Sequence, residues 1–388
     1  MLRLGASRAI SSGPCPLYYA TATTVRETPE GLFAVWREND GRVYYGILGE
    51  TPRVLSLPTD PIDEIPTDLA DGHQWPIAAL TRGLVPVVAS PDGPHNATWI
   101  QVGEEEPIKL ASSWDLCSSR DWIVGGQMWN RDREGGEDAV AIQLNLGAPR
   151  FRELVNARYG LPTWADQPGN EFAKRHLVNG LLLWSERTTF RHAGQPARIC
   201  MDLYGGSLEL GSLMPLDVGR TQPTPVDLQS PHFRLICGPV DQWSAVGMDV
   251  RGDVIAVPLI RWTQGGSMVG GYPNADTPGE WRLDILVRDP IEGWQIRHHS
   301  RYVWGTNSWL NQRPRVVLGA GSTMHLLWAP PLGCWTSTDL GRTWGPFVEL
   351  PIAGQPVRGF ATQREPNAVH LVYQTQDYRL WCARVEDV

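Results

Sequence analysis

The stretch Ser337-Thr338-Asp339-Leu340-Gly341-Arg342-Thr343-Trp344 reads S-x-D-x-G-x-T-W, and the spacing describes a mechanical unit. An Asp that accepts backbone N–H groups closes a tight turn, a Gly supplies a positive φ, and the Trp that follows folds back over the hairpin. Such a clasp joins two strands. The runs 333–337 and 346–351 on either side have the composition to be those strands.

Working outward, one pattern recurs about seven times: a short strand, a turn, a strongly apolar strand often ending in Trp, a polar loop, and another strand. The first repeat is expected over 18–26, 31–37, 42–49 and 53–58, and the second over 75–80, 84–89, 97–102 and 107–111. The third covers 115–119, 122–128, 138–144 and 151–155; the fourth 172–178, 181–186, 197–204 and 207–213. A Pro-rich connector, 215–239, leads to the fifth at 244–250, 254–259, 281–288 and 294–299, which a Gly-rich loop insert at 261–280 interrupts. The sixth is 314–319, 323–328 and the two clasped strands, and the seventh is 357–362, 368–373 and 379–385. The last repeat is one strand short, and 2–6 can supply the missing strand by pairing on its outside. No segment holds a 3.6-residue apolar period over a dozen residues. The expectation is an all-β chain, one domain over 1–388.

Composition agrees. The chain has 388 residues with 40 Gly and 32 Pro, which suits many short strands and frequent turns. Its 18 Trp serve either a carbohydrate-stacking surface or repeated packing of one Trp per sheet. A net charge of −8 without a basic patch argues against a nucleic-acid partner. Lys109 and Lys174 are the only lysines, so nearly all positive charge is Arg. The six cysteines show no C-x-x-C pair and no His at metal spacing, and read as small core residues, with neither metal nor cofactor implied. No signal-peptide h-region and no membrane-length apolar run is present, so a soluble cytoplasmic monomer is expected, or an exported one if a leader precedes Met1.

The clasp resembles the Asp box of sialidases and other Asp-box (BNR-repeat) β-propellers, matching every fixed position of that motif. The resemblance implies a β-propeller, here of seven four-stranded blades with six as the alternative, closed by the N-terminal strand on the last blade. In that family the box joins the third and fourth strands of a blade and lies away from the functional face. Each innermost strand begins near that face, where the loops between second and third strands also gather.

Strand starts and middle loops then nominate candidates. For proton transfer these are Asp115, Glu171, Glu186, Asp241, His73 and Tyr272. For holding a substrate they are Tyr18, Tyr19, Trp75, Trp114, Trp243, Arg175, Arg313 and Arg358, with aromatic planes for C–H faces and Arg for carboxylates. Arg37, Glu38, Asp40, Arg261 and Asp377 join the same rim, while His298-His299 reads as surface on an outer strand.

Sialidases carry an Arg-Ile-Pro triplet on the first inner strand, whereas this chain has Pro16-Leu17-Tyr18-Tyr19-Ala20-Thr21. Losing that charge-assisted contact costs about 1.5–3 kcal/mol, which disfavours sialidase activity. The expected partner is a carbohydrate or glycosylated small molecule. Polysaccharide lyases on related propellers use His, Tyr and Arg; a hydrolase would instead need two carboxyl groups about 5–9.5 Å apart. A non-catalytic lectin or protein-interaction propeller is the alternative.

Overall fold

The computed structural model describes residues 2–15, 25–55, 76–81, 83–92, 97–110, 114–119, 122–128, 137–143, 150–155, 171–178, 180–190, 198–209, 212–215, 234–236, 242–245, 247–265, 268–269, 272–273, 279–303, 314–352, 357 and 359–386. These residues form no α-helix. They build seven antiparallel sheets of four or five strands, one after another along the chain, and a separate two-stranded hairpin. Sheets one to seven span 25–54, 77–110, 114–155, 171–236, 242–303, 315–349 and 359–386.

Each sheet is in essence a meander, because short turns let consecutive runs pair. Gly31 (φ 145°) and Gly41 (φ 81°) bracket Gly31–Arg37 in sheet one, where an L side chain would be strained. The first strands are Val25–Thr28, Ile77–Leu80, Trp114–Ser119, Glu171–Val178, Gln242–Ala245 continued by Asp249–Arg251, Arg315–Leu318 and Gly359–Glu365. Those of sheets one to four lie against one another in order. The first strand of sheet five touches sheets four and six, that of six touches seven, and that of seven touches one.

Apolar faces meet between sheets. Val316, Leu318, Met324 and Leu326 of sheet six pack against Leu283, Ile285 and Val287 of sheet five, all at most 2% exposed. Met248, Val250, Val257 and Leu259 of sheet five face the other way, toward Val178 and Leu181 of sheet four. Fully burying a side chain of this size is worth about 1.5–3 kcal/mol, so these seams hold the sheets together.

The N-terminus joins the last sheet. Arg3–Leu4 pairs antiparallel with Glu386 and Val385, and Arg8–Ala9 with Cys382 and Trp381. Leu2 (2% exposed) enters a core shared by sheets six and seven.

Several details differ from the sequence reading. The run at 244–250 is two strands, broken around Gly247 and Met248. The Pro-rich connector contains a strand, Arg234–Ile236, that pairs with Arg198–Glu209. The 261–280 insert begins and ends as ladder, since Val254–Gly265 and Gly279–Asp289 stay paired out to Gly265 and Gly279, with a small hairpin of Met268–Val269 and Tyr272–Pro273 beyond. Of the six cysteines, Cys15, Cys334 and Cys382 are buried, and desolvation pushes the Cys15 and Cys382 thiols up to about 12.

Candidate functional site

Each sheet has a start end, where its first strand begins, and a far end, where that strand finishes. The clasp belongs to the far end. There Ser337 Oγ accepts the N–H of Gly341 at 2.7 Å and of Asp339 at 3.2 Å, and donates to Asp339 Oδ1 at 2.7 Å. Asp339 accepts the N–H of Thr343 at 2.9 Å and its hydroxyl at 2.6 Å. Slight desolvation would raise the Asp339 carboxyl, but these donors outweigh it and hold the group at about 2. Leu340 (φ 55°) and Gly341 (φ 87°) make the left-handed step, and a Cβ on Gly341 would sit 3.3 Å from the Trp344 ring.

The clasp also fastens sheet six to sheet five. Arg297 of sheet five donates to the Leu340 carbonyl, and its Nη2 is 3.2 Å from Asp289. Arg342 reaches back to Asp289 at 3.3 Å and Glu292 at 2.7 Å. His299, read from sequence as surface, is wedged edge-on against Trp335 and Trp344 with centroids at 4.7 and 4.9 Å. Burial, reinforced by the neighbouring His298, lowers its pKa to about 4.

A polar cluster ties the first strands to one another. Arg26 of sheet one pairs with Glu365 of sheet seven at 3.1 Å, and gives 2.7 and 2.6 Å bonds to the carbonyl and hydroxyl of Ser118 in sheet three. The Ser118 hydroxyl in turn donates to the Ala78 carbonyl of sheet two at 2.6 Å. Arg364 of sheet seven clamps Asp249 of sheet five at 2.5 and 2.6 Å, and Asp249 also accepts the Leu318 N–H of sheet six at 2.7 Å. Arg26, Glu365 and Asp249 are each at most 3% exposed.

The start end is where candidates were expected. Several of its described groups are already engaged. Glu38 Oε1 accepts from Ser12 N at 3.0 Å, Ser12 Oγ at 3.1 Å, Gly13 N at 3.0 Å and Trp36 Nε1 at 3.1 Å, tying the N-terminal segment to sheet one. A Cβ on Gly13 would stand 2.5 Å from Glu38 Oε2, so a larger residue there would displace that carboxylate. Arg37 donates to Ser90, and the Thr375 hydroxyl holds the Asp377 carboxyl below its usual range. Arg315 is 5% exposed and lies against Gly247, where a Cβ would be 3.0 Å from its Cδ; the break in sheet five makes room for it.

Sheets three, four and five differ from the rest in backbone. Their first strands lose register with the second: between Trp114 and Cys117, between Ala173 and His176, and at the break after Ala245. Those of sheets one, two, six and seven pair without a shift. Asp115 and Arg175 sit inside the first two irregularities. Glu171 opens its strand opposite Arg187, and Glu186 is opposite Phe172. Trp114 is opposite Gly126, Trp243 opposite Arg261, and Tyr272 opposite Val269. His73, Asp241, Tyr18, Tyr19, Trp75, Arg313 and Arg358 lie outside the described residues. The bulges left no sequence signal, because a lost register depends on which rung of the neighbouring strand each residue meets.

The hairpins of second and third strands also rise unequally. In sheet four the ladder continues three rungs past Glu171, through Phe190 and Arg198, about 10 Å at strand rise. In sheet five it runs on to Gly265 and Gly279. In sheet seven it stops level with the first strand, at Gly359, Gln374 and Leu380. Sheets one and two carry the same three-rung overhang, to Arg37 and Asp92, so the described ladders stand lowest over sheet seven. Among the described residues no group of three or more His, Cys, Asp or Glu is placed to hold a metal, and no helix is long and apolar enough to cross a membrane.

Neither a family model nor a curated protein matches the sequence. Solved structures do. The chain is similar to the polysaccharide lyase Uly1, with a TM-score of 0.58 and 8% identity over 99% of both chains. It is also similar to the β-propeller domain of Cps50 (Swd1) from Myceliophteria thermophila, at 0.46 and 10% over 99% of both. A third is the α-L-arabinanase of Penicillium chrysogenum, at 0.39 and 11% over 99% of this chain and 98% of that one. At these identities the likeness concerns fold: an all-β chain of antiparallel sheets whose structural neighbours are β-propellers.

Proposed function

We propose that the chain is a single seven-bladed β-propeller of the Asp-box class, closed by its N-terminal strands, with one carbohydrate-active site on the start end over blades three to five. The site cleaves glycosidic bonds, as a lyase or a hydrolase. The observation that carries this reading is the run of three irregular inner strands, which coincides with Asp115 and Arg175. Bulges are over-represented beside active sites because they re-aim side chains, and here they are confined to adjacent blades. A lectin with repeated sites would instead call for equivalent blades. The full-length likeness to a polysaccharide lyase supports the same reading.

In the lyase form a base removes the proton beside a uronate carboxylate and an Arg neutralises that carboxylate. Tyr272 and Arg175 are the nominees among residues with a described backbone, and His73 and Arg313 among the others. In the hydrolase form Asp115, Glu171, Glu186 and Asp241 supply the acid and its partner. Screening uronate polymers and chromogenic glycosides decides between them. Arg175→Gln should abolish lyase turnover, whereas Glu171→Gln or Asp115→Asn should abolish hydrolysis, each by a factor of about 100 or more. Absence of turnover on every glycan, with glycan binding untouched by these changes, would sink the enzyme reading and leave the lectin.

A further inference from the structure

Sheet five carries a row of arginines. Its ladders set Trp243 opposite Arg261, Arg261 opposite Arg282, and Arg282 opposite Arg301, so three arginines hold directly opposite positions on three consecutive strands. Directly opposite residues are close neighbours across a ladder, and like charges there are destabilising. In a chain of net charge −8 such a row is a local reversal of sign.

The described counter-charge beside it is Asp284, two residues along from Arg282. Its Oδ1 lies 3.1 Å from Arg282 Nε and 2.9 Å from His298 Nδ1. Asp284 is 0% exposed, and its Oδ2 is buried with no hydrogen-bond partner. Among the described side chains, that carboxylate is shared between Arg282 and His298. The next row toward the start end is aromatic, with Trp262 opposite Trp281 and Trp281 opposite Tyr302. Both rows lie at the start of the inner strand, under the raised hairpin.

We infer that this end of sheet five is an anion-binding site, in which Arg261, Arg282 and Arg301 recognise the carboxylate or sulfate groups of an acidic oligosaccharide. Arginine suits both groups through its planar fork of donors. The inference deepens the reading above by naming a substrate class, and rests on it for the word oligosaccharide.

Calorimetric titration at low salt tests it with three probes: trigalacturonate for carboxylates, a κ-carrageenan tetrasaccharide for sulfate esters, and neutral cellotetraose. The expected result is that one acidic probe binds at least tenfold more tightly than cellotetraose. Arg261→Gln and Arg301→Gln should each weaken it tenfold or more while leaving the melting temperature unchanged or higher, since they relieve like-charge crowding. Arg301→Lys keeps the charge and loses the fork, and should fall between. No acidic preference, or wild-type affinity in both Gln variants, overturns the inference, as does a lower melting temperature with affinity retained. Arg-dependent acidic binding without turnover keeps this site and removes the enzyme reading; turnover of neutral glycans indifferent to these arginines does the reverse.

Discussion

The Asp339 carboxylate gathers three bonds from Ser337 and Thr343 near the surface. Asp339→Ala should cost about 1–2 kcal/mol of stability, since the Thr343 donors and the Ser337 hydroxyl lose their acceptor near the surface. Its folded pKa of about 2 is depressed, so its contribution is full above about pH 4 and fades as pH falls toward 2. Melting temperatures of wild type and Asp339→Ala should therefore converge at pH 2, which scanning fluorimetry checks. Glycan turnover near neutral pH should be unchanged, because the clasp and the start end are at opposite ends of the strands. His299 acts in the same direction at higher pH. With its folded pKa lowered to about 4, the unfolded chain binds the extra proton between pH 6.5 and 4, and stability falls as pH falls through that window. His325, buried and likewise lowered to about 4, adds to the same loss. His299→Phe should flatten the acid limb by on the order of 2 kcal/mol between pH 6.5 and 4 in urea titrations.

The first strands are the elements that both hold the molecule and aim its candidate residues. The Arg26–Glu365 pair is desolvated on both sides, so breaking it by Glu365→Gln or Arg26→Met should cost about 3–5 kcal/mol. Replacing both partners with Met should cost less than either single change, because no lone charge is left buried. Denaturant midpoints of the three variants give the answer. At this scale the sequence was readable for strands with apolar alternation: the runs at 31–37, 122–128 and 368–373 fall on Gly31–Arg37, Trp122–Met128 and within Ala368–Gln374. It was silent where the determinant is a partner. Nothing in the local residues announces that Arg234–Ile236 will find the edge of Arg198–Glu209, or that the strand after Ala245 breaks to admit Arg315. Glu38 shows the same limit for sites: as a charged loop residue it looked available, and the structure spends its Oε1 on four structural donors.

For the molecule as a whole, the two ends of the chain meet in one sheet. Deleting residues 2–9 would bare the edge of Leu380–Glu386 and remove buried Leu2. Exposed edges pair with other chains, so the truncated protein should melt at least 5 °C lower and aggregate on warming, read by light scattering alongside fluorescence. The clasp and the N-terminal pairing were legible because each rests on short-range composition or on an unfilled position at the end of the pattern. The arginine row was not, since it exists only once Val254–Gly265, Gly279–Asp289 and Gly293–Val303 are set in register. The polar cluster of the first strands reaches past adjacent sheets. Arg26 reaches from sheet one to sheet three, and Arg364 from sheet seven to sheet five. Each of these side chains ties together sheets that are not consecutive along the chain, so the first strands are braced across the molecule as well as from one sheet to the next.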